Sequence, residues 1–152
     1  CIIHQTYAEP IDFESYRKGF RAITIPDTRS SLSEIKTNHL ALNTFGLQLA
    51  ADNGYDDAIF VKNGYLTEAA SSNLFMVRSG ILITPPTDGI VNGLTRQEIL
   101  KLANKHNIPY QVRPIHTREL KSANEVFLSS SVSCPGAPSY LLFVITSIMC
   151  FR

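Results

Sequence analysis

Tyr65-Leu66-Thr67-Glu68-Ala69-Ala70-Ser71-Ser72-Asn73-Leu74-Phe75 is the stretch on which the reading of this chain turns. It begins as a strand, reaches a carboxylate, passes through small residues and restarts as the apolar run Asn73-Leu74-Phe75-Met76-Val77. Upstream, Ala58-Ile59-Phe60-Val61 is a second strand. Lys62-Asn63-Gly64 joins the two as a hairpin, because Asn-Gly accepts positive φ at both central positions. Downstream, Arg78-Ser79-Gly80 leads to Ile81-Leu82-Ile83-Thr84 and closes a second hairpin. Two hairpins therefore follow one another, with Glu68 at the end of a strand in the first.

Helical patterns flank this pair. From Asn38 to Asp52, Leu40, Thr44, Leu47 and Ala51 recur at three- and four-residue intervals, with Leu42, Leu49 and Ala50 widening the stripe. Asn53-Gly54 is its expected C-cap, and Gly46 inside it costs about 1 kcal/mol relative to alanine. After the rigid loop Pro85 to Gly89, Thr95-Arg96-Gln97-Glu98 reads as a capping box opening a helix that buries Ile99, Leu100, Leu102 and Ala103. Residues 1–7 and Phe20 to Ile25 read as strands, and Pro26-Asp27-Thr28-Arg29-Ser30 ends the second. Tyr110 to Ile115 reads as one alternating strand, Thr117 to Ala123 as a short helix, and Glu125 to Leu128 as a strand entering a serine cluster.

Composition narrows the function. The 152 residues carry 14 basic and 13 acidic side chains with no basic stripe, which argues against nucleic acid as a partner. Cys1, Cys134 and Cys150 are odd in number and lack metal-ligand spacing, which fits a reducing compartment. No charged leader region opens the chain, and the uncharged run Tyr140 to Phe151 is too short to span a bilayer. The expectation is a soluble, cytoplasmic protein with no membrane partner. His4, His39, His106 and His116 share no metal spacing and are expected to be structural or surface groups.

Four pieces carry chemistry. Lys36, in Ser33-Glu34-Ile35-Lys36-Thr37-Asn38-His39-Leu40, is an amine at the mouth of a helix and could bond to an aldehyde. Glu68 could keep a pyridine nitrogen protonated. Gly93-Leu94-Thr95 opens a helix, where free amides favour a phosphate; the capping box competes for the Thr95 hydroxyl but not for the amides. Ser129-Ser130-Ser131 adds hydroxyl donors. Each piece alone also reads plainly, as a surface lysine, an edge glutamate, a capped helix and a polar loop. Together they suit a carbonyl-bearing phosphate cofactor.

In this order, Glu34-Ile35-Lys36-Thr37-Asn38, the 65–75 stretch, Gly89-Ile90-Val91-Asn92-Gly93-Leu94-Thr95-Arg96 and Asn124-Glu125-Val126-Phe127-Leu128-Ser129-Ser130-Ser131 resemble the fold-type IV aminotransferases. That family uses pyridoxal 5′-phosphate and holds the D-amino acid and branched-chain aminotransferases and aminodeoxychorismate lyase. The resemblance implies the large C-terminal domain of that fold, an α/β pseudo-barrel with hairpins, over residues 1–133. Residues 1–28 would be leading strands and an interdomain segment. It implies Lys36 as the Schiff-base and proton-shuttling lysine, and Glu68 against the pyridine nitrogen. Gly93, the Leu94 and Thr95 amides, Ser130 and Ser131 would hold the phosphate, and Ser71 and Ser72 would line the cofactor. It implies an amino acid and a 2-oxo acid as substrates, a D-amino acid transaminase in preference to a branched-chain enzyme or the lyase, and a homodimer. A remnant that binds cofactor without turnover is the reading of another class. Two departures stand out. The small N-terminal domain, with its phosphate-binding arginine, has no counterpart here, and residues 134–152 do not match and are expected to be an aberrant end.

Overall fold

The computed structural model describes residues 19–29, 33–36 and 40–130. The expectations for a strand at 1–7, for Ser131 and for the tail 134–152 lie outside them.

Two four-stranded sheets make up the fold. The first has the order β1-β2-β3-β7, from β1 (Ala22–Pro26), β2 (Asp57–Lys62), β3 (Tyr65–Ala69) and β7 (Ile115–His116). The second has the order β6-β5-β4-β8, from β4 (Asn73–Arg78), β5 (Ile81–Thr84), β6 (Tyr110–Val112) and β8 (Glu125–Ser129). Each contains one hairpin and one parallel pair. Parallel strands need a long crossover, and a helix provides it in each sheet: α1 (Ala41–Asp52) between β1 and β2, and α2 (Leu94–Lys105) between β5 and β6.

Both tight turns behave as their sequences require. Asn63 and Gly64 have φ of 53° and 84°, and Ser79 and Gly80 have 51° and 77°. These are the paired positive values of the hairpin turn that follows strand twist. Leucines and phenylalanines from β3, β4 and β8 build the larger core, in which Phe75 and Phe127 stack with centroids 5.0 Å apart. A smaller core of Ile25, Ala50, Ala58, Phe60 and Ala70 lies under α1.

Four sequence expectations need correction. In α1 the predicted stripe faces outward: Leu40, Thr44, Leu47 and Ala51 are exposed, whereas Gly46 and Ala50 are buried. A Cβ on Gly46 would sit 3.0 Å from Ile25 Cδ1 and 3.3 Å from Phe60 Cζ, so this helix approaches the sheet on a face of small residues. Leu102 of α2 is likewise exposed, while Ala103 is buried. The strand expected over 110–115 is two strands in different sheets, because Pro114 has no N–H to continue a ladder and the chain changes sheet there. The helix expected over Thr117 to Ala123 is a 3₁₀ helix, Thr117–Ser122, capped by the His116 side chain through the Arg118 amide.

Candidate active site

Glu68 owes its position to an irregularity. Between the pairs Ile59↔Ala69 and Val61↔Leu66, β2 advances two residues and β3 three. The extra residue makes a bulge at Thr67–Glu68, a device that re-aims side chains. Glu68 is 5 % exposed. Its Oε1 accepts from Arg29 Nη1 at 2.7 Å. Arg29 in turn donates from Nε and Nη2 to the two Asp27 oxygens, at 2.9 and 2.8 Å. Thr67 Oγ1 donates to Asp27 Oδ2 at 2.9 Å, and the guanidinium lies 4.1 Å above the centre of the Phe60 ring. The side chains of Asp27, Arg29 and Glu68 are each no more than 7 % exposed.

Burial pushes the Glu68 carboxyl above its ordinary value, with the Arg29 guanidinium pulling against that rise. Burial also works on Asp27, but there the hydrogen bonds and charge of Arg29 prevail and its carboxyl lies below its ordinary value. Two carboxylates thus share one guanidinium.

Asn73 carries the site from the carboxylate to the start of α2. Its Nδ2 donates to Val91 O at 2.8 Å and reaches Glu68 Oε2 at 3.4 Å, while its Oδ1 accepts from the Gly93 amide at 3.2 Å. A Cβ on Gly93 would collide with Asn73 Oδ1, so any larger residue there would displace the Asn73 amide. Gly93 is also the N-cap of α2, and no side chain caps the helix. The expected capping box is therefore absent: Thr95 lies inside the first turn, buried, and its hydroxyl makes no hydrogen bond among the described residues. The buried guanidinium of Arg96 holds the preceding loop, through Pro85 O at 2.9 Å and Asn92 Oδ1 at 3.1 Å.

The serine cluster joins from the other side. Asn73 pairs with Ser129 across β4 and β8, and Ser129 Oγ is buried with no hydrogen-bond partner among the described residues. Ser130 follows at the strand end, half-buried. Glu68, Asn73, Gly93 and Ser129 are thus linked by hydrogen bonds or strand register. Ser71 is exposed and Ser72 half-buried in the turn from β3 to β4, where Ser72 O accepts from the Ala69 amide at 2.9 Å. Lys36 is exposed, in the segment between Arg29 and α1, and makes no hydrogen bond or ion pair among the described residues. No hydrogen bond or ion pair among the described residues joins it to Glu68. Among the described residues no cluster of His, Cys, Asp and Glu could hold a metal ion, and no helix is long and apolar enough to cross a membrane.

Residue reasoning missed Arg29, Asp27 and Asn73. Asp27-Thr28-Arg29 offers a local signal, a carboxylate and a guanidinium two residues apart after a strand. Nothing local announces that Glu68, 39 residues on, joins them.

Comparison with known proteins gives the family. The model of the family "Amino-transferase class IV" matches residues 1–135. The chain is 32% identical over 118 residues to the D-alanine aminotransferase of Bacillus licheniformis, covering 77% of this chain and 42% of that protein. It is 33% identical over 128 residues to that of Staphylococcus epidermidis, covering 84% and 45%. Among solved structures it superposes on a fold IV-transaminase from Curtobacterium pusillum with a TM-score of 0.74 at 28% identity, over 90% of this chain and 53% of that one. It also superposes on the branched-chain aminotransferase of Thermoproteus uzoniensis with norvaline, with a TM-score of 0.72 at 30% identity, over 76% and 41%. The chain belongs to the class IV aminotransferases and has their mixed α/β fold. It spans less than half the length of the curated relatives named here.

Proposed function

We propose that this chain carries the pyridoxal-phosphate half of an aminotransferase that moves an amino group between an amino acid and a 2-oxo acid. The observation that carries the reading is a buried carboxylate, Glu68, tied through one side chain, Asn73, to a helix start without a side-chain cap. The donor set fits the cofactor. Uncapped amides and the unpartnered Ser129 hydroxyl suit a phosphate, and a carboxylate that shares its guanidinium with a second one suits a protonated ring nitrogen.

When bound, pyridoxal phosphate supplies a ring that accepts the electrons left when a proton departs from the substrate α-carbon. Lys36 would be the amine that holds the cofactor at its carbonyl carbon, and its Nζ would move the proton at the substrate α-carbon. Glu68 would hold the ring nitrogen in its protonated form. The Leu94 and Thr95 amides, with the hydroxyls of Thr95, Ser130 and Ser131, bind the phosphate, and Ser129 joins them. Ser71 and Ser72 line the cofactor. The working form is a homodimer in the cytoplasm.

The substrate proposed first is a D-amino acid, since D-alanine aminotransferases are among the relatives more than 30% identical. The likeness to a branched-chain aminotransferase favours the second reading. Amino transfer to 2-oxoglutarate, screened with D-alanine, L-alanine and L-leucine, separates them. D-alanine turnover is expected, L-leucine turnover alone would favour the second, and release of pyruvate from aminodeoxychorismate alone would make the protein a lyase. Absence of all three would leave a cofactor-binding remnant.

A further inference from the structure

We infer that Arg29, anchored by Asp27 and Thr67, is a positioning residue that holds Glu68 as a carboxylate with Oε1 occupied and Oε2 left for the ring nitrogen of the cofactor. The inference rests on the reading of Glu68 given above. It starts from a count of charge. Asp27, Arg29 and Glu68 are all buried, and one guanidinium faces two carboxylates. The cluster is therefore one positive charge short, and a protonated pyridine supplies that charge.

Geometry divides the work between the two Glu68 oxygens. Oε1 is taken by Arg29 at 2.7 Å. Among the described residues Oε2 has one side-chain hydrogen bond, from the Asn73 amide at the long distance of 3.4 Å; Asn73 has a shorter bond at 2.8 Å to Val91 O, and the Val91 backbone N–H also favours the charged carboxylate. Oε2 is thus the oxygen with capacity for a further strong donor.

The guanidinium cannot turn away. Asp27 holds it through two parallel bonds, a rigid fork that lysine cannot reproduce. Thr67 fixes Asp27, and the Phe60 ring lies against the guanidinium face. Thr67 belongs to the same bulge as Glu68, so one backbone irregularity sets both the carboxylate and the prop behind its partner. Burial favours the neutral form of a carboxylic acid. Without Arg29, Glu68 would take up a proton and meet the ring nitrogen as a neutral donor, not as an anion.

The test compares two probes on the purified protein by binding titration: pyridoxal phosphate and its deaza analogue, whose ring has C–H in place of the nitrogen. The wild-type protein should prefer pyridoxal phosphate. Arg29→Gln should reduce that preference by about tenfold or more, the size of one charge-assisted hydrogen bond, and Arg29→Lys should not restore it. A merely structural role would weaken both probes equally and leave the ratio intact, which would overturn the inference while the reading of Glu68 stands. If the wild-type protein binds neither probe, or does not distinguish them, the reading of Glu68 falls and the inference with it. Should Arg29→Gln fail to fold, Asp27→Asn keeps the guanidinium but loosens its anchor. The same loss of ratio is then expected, and an unchanged ratio would refute the inference.

Discussion

Glu68 and Lys36 are the two groups on which the proposed chemistry turns, and their surroundings are opposite. Glu68 is buried on a bulged strand, with an arginine, an asparagine and a second carboxylate arranged around it. Lys36 is exposed, without a hydrogen bond or ion pair among the described residues. The same packing that builds the core fixes the carboxylate, whereas among the described residues no hydrogen bond or ion pair fixes the amine. Substitutions around Glu68 should therefore damage fold and chemistry together, and substitution of Lys36 should damage chemistry alone.

Lys36→Ala gives the largest expected effect. Amino transfer is lost altogether, while the urea midpoint stays within about 0.5 kcal/mol of wild type, as for a surface change. A large loss of stability would erase the contrast. Arg29→Ala comes next. It leaves two buried carboxylates without their cation, and breaking a buried pair costs about 3–5 kcal/mol. Equilibrium unfolding in urea measures this, and a loss under about 1 kcal/mol would mean that water already solvates the trio.

Gly93→Ala should cost about 1–3 kcal/mol, as for an overpacked site, because Asn73 is buried and has little room to retreat. It should also weaken pyridoxal phosphate binding, since the Asn73 contacts tie the helix start to Glu68. Unchanged binding would separate the two ends of the site.

The smallest effect sharpens the comparison with a carboxyl that lacks a guanidinium. Burial raises Asp57 from 3.8 to about 6, against hydrogen bonds from the Ala58 and Ala70 amides. A raised value in the folded state means that the contribution of Asp57 is fully present below about pH 4 and is lost as pH rises through about 6. Asp57→Asn should remove that decline and stabilise the protein near neutral pH. Because Asp57 is partly exposed, the gain is of the order of 1–2 kcal/mol. Unfolding measured across pH 4 to 7 checks it, and an identical slope in the variant would refute it.

What the sequence made legible follows how local each cause is. The two hairpins were readable because Asn63-Gly64 and Ser79-Gly80 write their own backbone angles. The buried face of α1 was not, since it consists of Gly46 and Ala50, and small residues carry little apolar signal beside Leu40 and Leu47. The α2 cap was displaced because Gly93 takes the N-cap without a side chain to announce it. Lys36 and Glu68 were proposed from the order of motifs, not from any single one. Arg29 escaped because its role depends on a partner 39 residues away and on a bulge.

The most direct test of the account is borohydride reduction of the protein with pyridoxal phosphate, followed by peptide mapping of the modified lysine. The account predicts a stable pyridoxyl group on Lys36, absent in Lys36→Ala. A label on another lysine, or none at all, would contradict it.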